Sequence, residues 1–208
     1  MRQIAFLATA LLGFATLSSL WLASPDVEAR MLPHVASPPE VAALPSQLGE
    51  ELEAYHFLKN RHSGLAEEEL LQLADTIVSE AHRHDLDPQL VIAVIRVESA
   101  GYNFAVSRVG AFGLMQIMPP TGEELARELD LPWYGPDTLF DPIVNVKMGT
   151  AYLRELADRY DDDIETALAA YNWGPGRIDR RIRRGAVVPS LYWRAVMDAR
   201  EAQLAQRS

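Results

Sequence analysis

From residue 66 onward, apolar residues recur three and four positions apart, and no alternating run exceeds a few residues. That spacing lines one stripe of a helix and lacks the period of two that a half-buried strand requires. Ala66–His84 places Leu70, Leu71, Leu73, Ala74, Ile77 and Val78 on such a stripe, with a polar far side. Asp87-Pro88 then supplies a capping carboxylate and a proline at the first helical position. The helix it opens contains LVIAVIRVES, apolar on nearly every face, and is expected at the centre of the fold. Thr121-Gly122-Glu123-Glu124 reads as a capping box. Asp141-Pro142 opens a helix that carries Val144, Met148, Tyr152 and Leu156 on one face as far as Tyr160. Short helices are expected at 163–172, 175–184 and 188–205, and a weak one at 48–60. The glycine-containing segment 101–118 has room for a small hairpin. The fold class is therefore mainly α, with at most a small β hairpin.

The N-terminal part reads differently. Arg2 precedes an uncharged, largely apolar run, Ile4–Ala23, and Val27-Glu28-Ala29 offers the residues a signal peptidase reads. Residues 1–29 are expected to be a signal peptide or a membrane anchor, with cleavage favoured. The run has roughly the length that spans a bilayer, which keeps an anchor in inner-membrane association as the alternative. Residues 30–47 form a Pro-rich linker, since five prolines fall between Ser24 and Ser46 and each fixes φ and lacks an N–H. Residues 48–65 are a short N-terminal extension, and 66–208 the packed domain. This organisation implies an exported or periplasmic protein.

Composition excludes several classes. With 29 acidic and 19 basic side chains the net charge is −10, which opposes nucleic-acid binding through phosphate contacts. The chain has no cysteine, so it has no disulfide framework, thiolate metal site or Cys nucleophile. His82 and His84 lie two apart on a helix and do not share a face, so no metal site is expected from them.

The chemistry points to Glu98. Val91, Val94 or Ile95, and Glu98 lie three or four apart, so Glu98 continues the apolar face to the C-terminal end of the helix. Desolvation and the exposed carbonyls at that end both favour the protonated carboxyl, so its pKa should be raised. A raised Glu is a general acid near neutral pH. The other reading of the position is a carboxylate that tilts into solvent or pairs with an arginine such as Arg108.

Three ordered motifs surround it: ESAGYNFAVSRVGAFGLMQIMPPTG, DPIVNVKMGTAYL and ALAAYNWGPGRI. At Glu98-Ser99, Ser107, Gly110-Ala111, Gly113–Gln116, Pro119 and Thr121 the chain resembles the soluble lytic transglycosylase (SLT) domain, related to goose-type lysozyme. Asn145, Gly149, Tyr152-Leu153, Ala170–Asn172, Gly174–Gly176 and Ile178 extend the match, which covers about 72–200. The chain departs from that pattern at Phe104, where a proline is usual, and at Trp173, where a small residue is usual. The C-terminal motif survives only as Pro189–Trp193.

The resemblance implies a lysozyme-like helical domain whose catalytic part is 66–208 and whose substrate is the glycan strand of peptidoglycan. It needs no cofactor and no metal. Glu98 would act alone as acid and then base, and the substrate's own C6 hydroxyl would attack, leaving 1,6-anhydromuramoyl ends. Ordinary glycosidases place two carboxylates across the bond, and no second acid falls in a matching motif here. A goose-type hydrolase using Asp137 or Asp141, or a non-catalytic wall-binding component, are the alternatives. Asp141 is better read as a helix cap.

Ser99, Gly113, Met115, Gln116, Tyr171 and Asn172 are the expected substrate-binding residues. Ser99 would meet substrate or orient Glu98. Gly113 would let backbone approach a saccharide, Met115 would give adaptable apolar contact, and Gln116 an amide. Tyr171 is implied beside Glu98. Trp133, Tyr134 and Trp173 are candidates for stacking on sugar rings, with at least one expected in the core. Arg177, Arg180, Arg181, Arg183 and Arg184 read as a solvated basic face, and Asp161–Asp163 as a loop and helix cap.

Overall fold

In the computed structural model, residues 46–205 apart from His62 are described. The expected signal or anchor and nearly all of the linker lie outside them. Eight helices are present among the described residues: α1 Ser46–Lys59, α2 Glu67–Arg83, α3 Pro88–Ser99, α4 Pro119–Glu128, α5 Pro142–Arg159, α6 Ile164–Trp173, α7 Pro175–Arg183 and α8 Leu191–Ala205. A 3-10 turn spans Pro136–Phe140. None of these helices is long and apolar enough to cross a membrane.

The caps follow local chemistry. Asp87 accepts from the Gln89 amide at 2.9 Å, Asp141 from Ile143 and Val144, and Asp163 from Thr166. Each short carboxylate satisfies donors that the first helical turn leaves unpaired. Asp141 and Asp163 are thus helix caps, as their spacing suggests. The box at Thr121 is not used: α4 begins two residues earlier, at Pro119-Pro120, because prolines suit positions whose N–H has no partner.

Pro88 through Ile95 are all buried, so α3 is the central helix. It packs against α2 and α8, while α2 also meets α1 and α5. The segment expected as an extension is part of this packing, since Ala54, Tyr55, Phe57 and Leu58 of α1 join the main core. Arg200 of α8 reaches back to the Asp87 carboxylate, its Nε at 2.9 Å, so the last helix is held against the start of the third.

Residues 101–118 form no regular hairpin. Phe112 makes isolated antiparallel bridges with Val106 and with Ile117, and the turn between the latter pair takes left-handed backbone at Gly113 (φ 78°) and Gln116 (φ 51°). Asn145 explains why this turn stays folded on the core. Fully buried on α5, it accepts from the Met115 amide at 2.8 Å and donates to the Phe112 and Leu139 carbonyls at 3.0 and 2.9 Å. Every polar atom of its amide that can bridge the turn is used, which removes the cost of burying it.

Candidate active site

Glu98 sits one residue before the end of α3, half-buried. Its Oε1 accepts from the Tyr192 hydroxyl at 2.6 Å. Burial pushes the carboxyl from 4.5 up to about 7, and the Tyr192 hydrogen bond opposes that rise by favouring the anion. Desolvation is the larger effect. The negative charge of Glu98 acts in turn on Tyr192 and Tyr171, whose hydroxyls burial already pushes well above the ordinary phenol value. Arg108 is exposed, and the hydrogen-bond partner of Glu98 is a neutral tyrosine, not an arginine.

The Tyr171 hydroxyl, on α6, donates to the Met115 carbonyl at 2.9 Å. Tyr171 thereby joins the Glu98 neighbourhood to the Gly113–Gln116 turn, within electrostatic reach of the carboxylate but with its proton engaged elsewhere. Its ring also leans on Tyr152 at 5.4 Å between centroids. On the other side of Tyr171 opens a cavity of about 240 Å3, walled by Gln116, Thr121, Tyr152, Tyr171, Asn172 and Trp173 among others. Asn172 and Trp173 are exposed there, and the Arg177 guanidinium lies 5.3 Å from the Trp173 ring centroid. Glu98 is not on the wall of this cavity; Tyr171 links the two.

Two of the residues expected to meet a sugar are buried in the structure. Met115 is fully buried, and its sulfur and Cβ occupy the place where a side chain at Gly149 would stand. Its adaptable shape serves packing on α5, and its backbone carbonyl accepts from the Tyr171 hydroxyl. Gly113 is buried too: a Cβ there would fall 2.3 Å from Asn145 Nδ2 and 2.3 Å from the Leu139 carbonyl oxygen. Close approach to Asn145 and to the Leu139 carbonyl by itself requires glycine here.

Ser99 spends its hydroxyl at the helix end, donating to the Ile95 carbonyl and accepting from the Gly101 amide, both at 3.1 Å. The Gln116 amide nitrogen donates to the Ala105 and Gly113 carbonyls, and the residue lines the cavity. Of the three aromatics, Trp133 packs against the core, Tyr134 is 90% exposed, and Trp173 alone lines the cavity. Tyr192 is the residue that sequence reading missed as part of the site. Its only signal was its place in the weakened C-terminal motif. Among the described residues no cluster of three or more His, Asp or Glu is placed to hold a metal.

A bundle of helices that sets a desolvated carboxylate at the end of its central helix is a lysozyme-like helical domain. The chain belongs to the Transglycosylase SLT domain family, whose profile matches residues 75–187, just over half of its length. It is 39% identical over 125 residues to the transglycosylase of Enterobacteria phage PRD1, covering 54% of this chain and 43% of that protein. It is 40% identical over 95 residues to the soluble lytic murein transglycosylase of Salmonella typhimurium, covering 45% of this chain and 15% of that one. The membrane-bound lytic murein transglycosylase C of Edwardsiella ictaluri is 34% identical over 115 residues, 51% of this chain and 32% of the relative. The chain thus spans less than half the length of these curated relatives.

Among solved structures, the 70 kDa soluble lytic transglycosylase of Escherichia coli superimposes with a TM-score of 0.60 at 24% identity, covering 78% of this chain and 30% of that chain. That likeness is one of fold. An inactive Glu-to-Gln mutant of the lytic transglycosylase Slt of Pseudomonas aeruginosa matches with a TM-score of 0.50 at 26% identity, over 76% of this chain and 28% of that one.

Proposed function

We propose that this chain is a peptidoglycan lytic transglycosylase in which Glu98 is the only acid–base group. The protonated Glu98 carboxyl gives its proton to the oxygen that bridges N-acetylmuramic acid C1 and N-acetylglucosamine O4. The C1–O4 bond breaks, its electron pair goes to O4, and the glucosamine leaves as an alcohol. The muramoyl C6 hydroxyl attacks C1 while Glu98, now a carboxylate, takes the hydroxyl proton. A 1,6-anhydro ring forms, the acid is regenerated, and no water is consumed.

The observation that carries this reading is the electrostatics of Glu98. Burial raises it to about 7, where acid and base forms are both accessible at neutral pH, and no second carboxylate is among the causes of the shift. A retaining glycosidase brings its second carboxylate within roughly 5.5 Å, close enough to act strongly on the first. Tyr192 orients Glu98 through Oε1. Tyr171 positions the turn that forms the cleft floor. Gln116 and Asn172 supply polar contacts to sugar substituents, and Trp173 a ring face. Ser99 keeps the end of α3 in place. The family's murein-cleaving relatives support the substrate class, and their membrane-bound and soluble forms suit an exported enzyme.

Mass analysis of fragments released from purified sacculi by the full chain tests the assignment. Anhydromuramoyl ends, one water lighter than hydrolysis products, are expected. Reducing ends alone would make the chain a hydrolase, and no release at all would make it a wall-binding component.

A further inference from the structure

α7 carries Arg177, Arg180 and Arg181, and Arg184 follows directly at its C-terminal end. These four lie three and four residues apart, so they share one stripe of the helix, with Arg183 beside it. Like charges at that spacing repel and weaken a helix. Arg83, Arg154, Arg159 and Arg200 each pair with a carboxylate. No ion pair among the described residues reaches Arg180, Arg181, Arg183 or Arg184. The single acid of α7, Asp179, is held by Arg159 and by the Tyr160 hydroxyl. Arg177 rests on the Trp173 ring. The carbonyl end of a helix favours cations in its last turn, but Arg177 stands in the first. From Arg177 to Arg194 six arginines accompany one acid, in a chain whose net charge is −10.

The same region turns apolar side chains to solvent: Ile182, Val187 and Leu191 are 46, 82 and 87% exposed. The Ala186 amide donates to the Arg181 carbonyl, and Arg181 Nε donates to the Val187 carbonyl, both at 2.9 Å. The loop after α7 is thereby folded back on its last turn, with Val187 beside Arg181. Leu191 opens α8, in whose first turn Arg194 is also exposed. The acid-lined cavity of Glu124, Glu128 and Glu155 meets α7 at Pro175, the opposite end of the helix. We infer that the end of α7, the loop after it and the start of α8 form a docking surface for a bilayer containing anionic phospholipid. The arginines meet headgroup phosphates, and Ile182, Val187 and Leu191 enter the apolar boundary beneath them. A soluble polyanion would answer the arginines and leave the three apolar side chains in water. This surface stands apart from the chemistry assigned to Glu98, and neither depends on the other.

The chain has no cysteine, so Val187→Cys supplies a single thiol for a polarity-sensitive dye that reports on this surface and not on the N-terminal segment. The labelled full chain is titrated with equimolar phosphatidylglycerol and phosphatidylcholine vesicles, with pure phosphatidylcholine vesicles and with soluble polyphosphate. A blue shift is expected with the anionic vesicles alone, and it should weaken as salt is raised, because exposed charges are screened. A basic group near an anionic membrane is worth about fivefold in binding, so Arg180→Gln combined with Arg184→Gln should raise the half-response lipid concentration by about tenfold or more. Leu191→Ser should raise it several-fold, and Arg127→Gln, an exposed arginine of α4, should leave it unchanged. All four side chains are exposed, so the variants should melt as the wild type does. No shift with anionic vesicles, or an equal shift with neutral ones, would overturn the proposal. So would an equal shift with polyphosphate, which marks a polyanion site, a wild-type response in the double arginine or Leu191 variant, or an equal loss in Arg127→Gln.

Discussion

The Tyr192 hydroxyl donates to Glu98 Oε1 at 2.6 Å, joining the start of the last helix to the end of the third. The bond does two things with opposite consequences. It fixes the orientation of the carboxylate, and it favours the ionised form against the burial that favours the acid. The resulting pKa of about 7 is a balance that either partner can shift.

Tyr192→Phe removes only the donor. The Glu98 pKa should then rise further, and the alkaline limb of the lysis rate, expected near pH 7 in the wild type, should move to higher pH. Loss of orientation should lower the maximal rate about tenfold or more. A pH–rate profile of sacculus clearance reads both, and a limb that stays in place would show that Tyr192 does not set the acid's proton affinity.

Glu98→Gln retains the shape of the side chain and an acceptor for Tyr192 but can neither give nor take a proton. Clearance should fall by about a hundred- to ten-thousand-fold. Stability should move the other way. The folded pKa lies above the ordinary value of 4.5, so ionised Glu98 destabilises the native state progressively as pH rises from 4.5 to about 7, and by a constant amount above that. The cost is about 2 kcal/mol after allowance for partial exposure. Thermal midpoints of the Gln variant should therefore equal or exceed wild type at pH 8, with the advantage gone below pH 4.5.

Asn145→Asp tests the floor of the cleft. The substitution keeps volume but removes both donors that hold the Phe112 and Leu139 carbonyls, and leaves a buried carboxylate facing them. A loss of about 3 kcal/mol or more is expected in urea unfolding. Activity at low temperature should fall as well, because the turn that Asn145 holds carries Gln116.

Trp173→Ala probes substrate contact with little structural cost. The ring is 40% exposed, lines the cavity and stacks with Arg177. KM for glycan strands should rise several-fold with kcat less affected, and unfolding should change by less than about 0.5 kcal/mol. An unchanged KM would leave Trp173 as surface.

Much of this architecture was legible locally. The helical period from residue 66 and the Asp-Pro starts at Asp87 and Asp141 announce three helices that the fold contains, since a cap and its helix lie within a few residues of each other. The place of Glu98, at the end of a helix apolar on nearly every face, already implied a carboxyl driven toward its neutral form, because desolvation follows from the face it occupies. What locality could not carry was partnership. Tyr192 lies 94 residues from Glu98 in sequence, and only the packing of α8 on α3 brings its hydroxyl within bonding distance. The packing of Met115 and Gly113 was likewise decided by α5, whose Gly149 and Asn145 they lie against. Periodicity says which side of a helix is buried, but which groups meet there depends on side chains far apart in the chain, and that was decided by the tertiary structure alone.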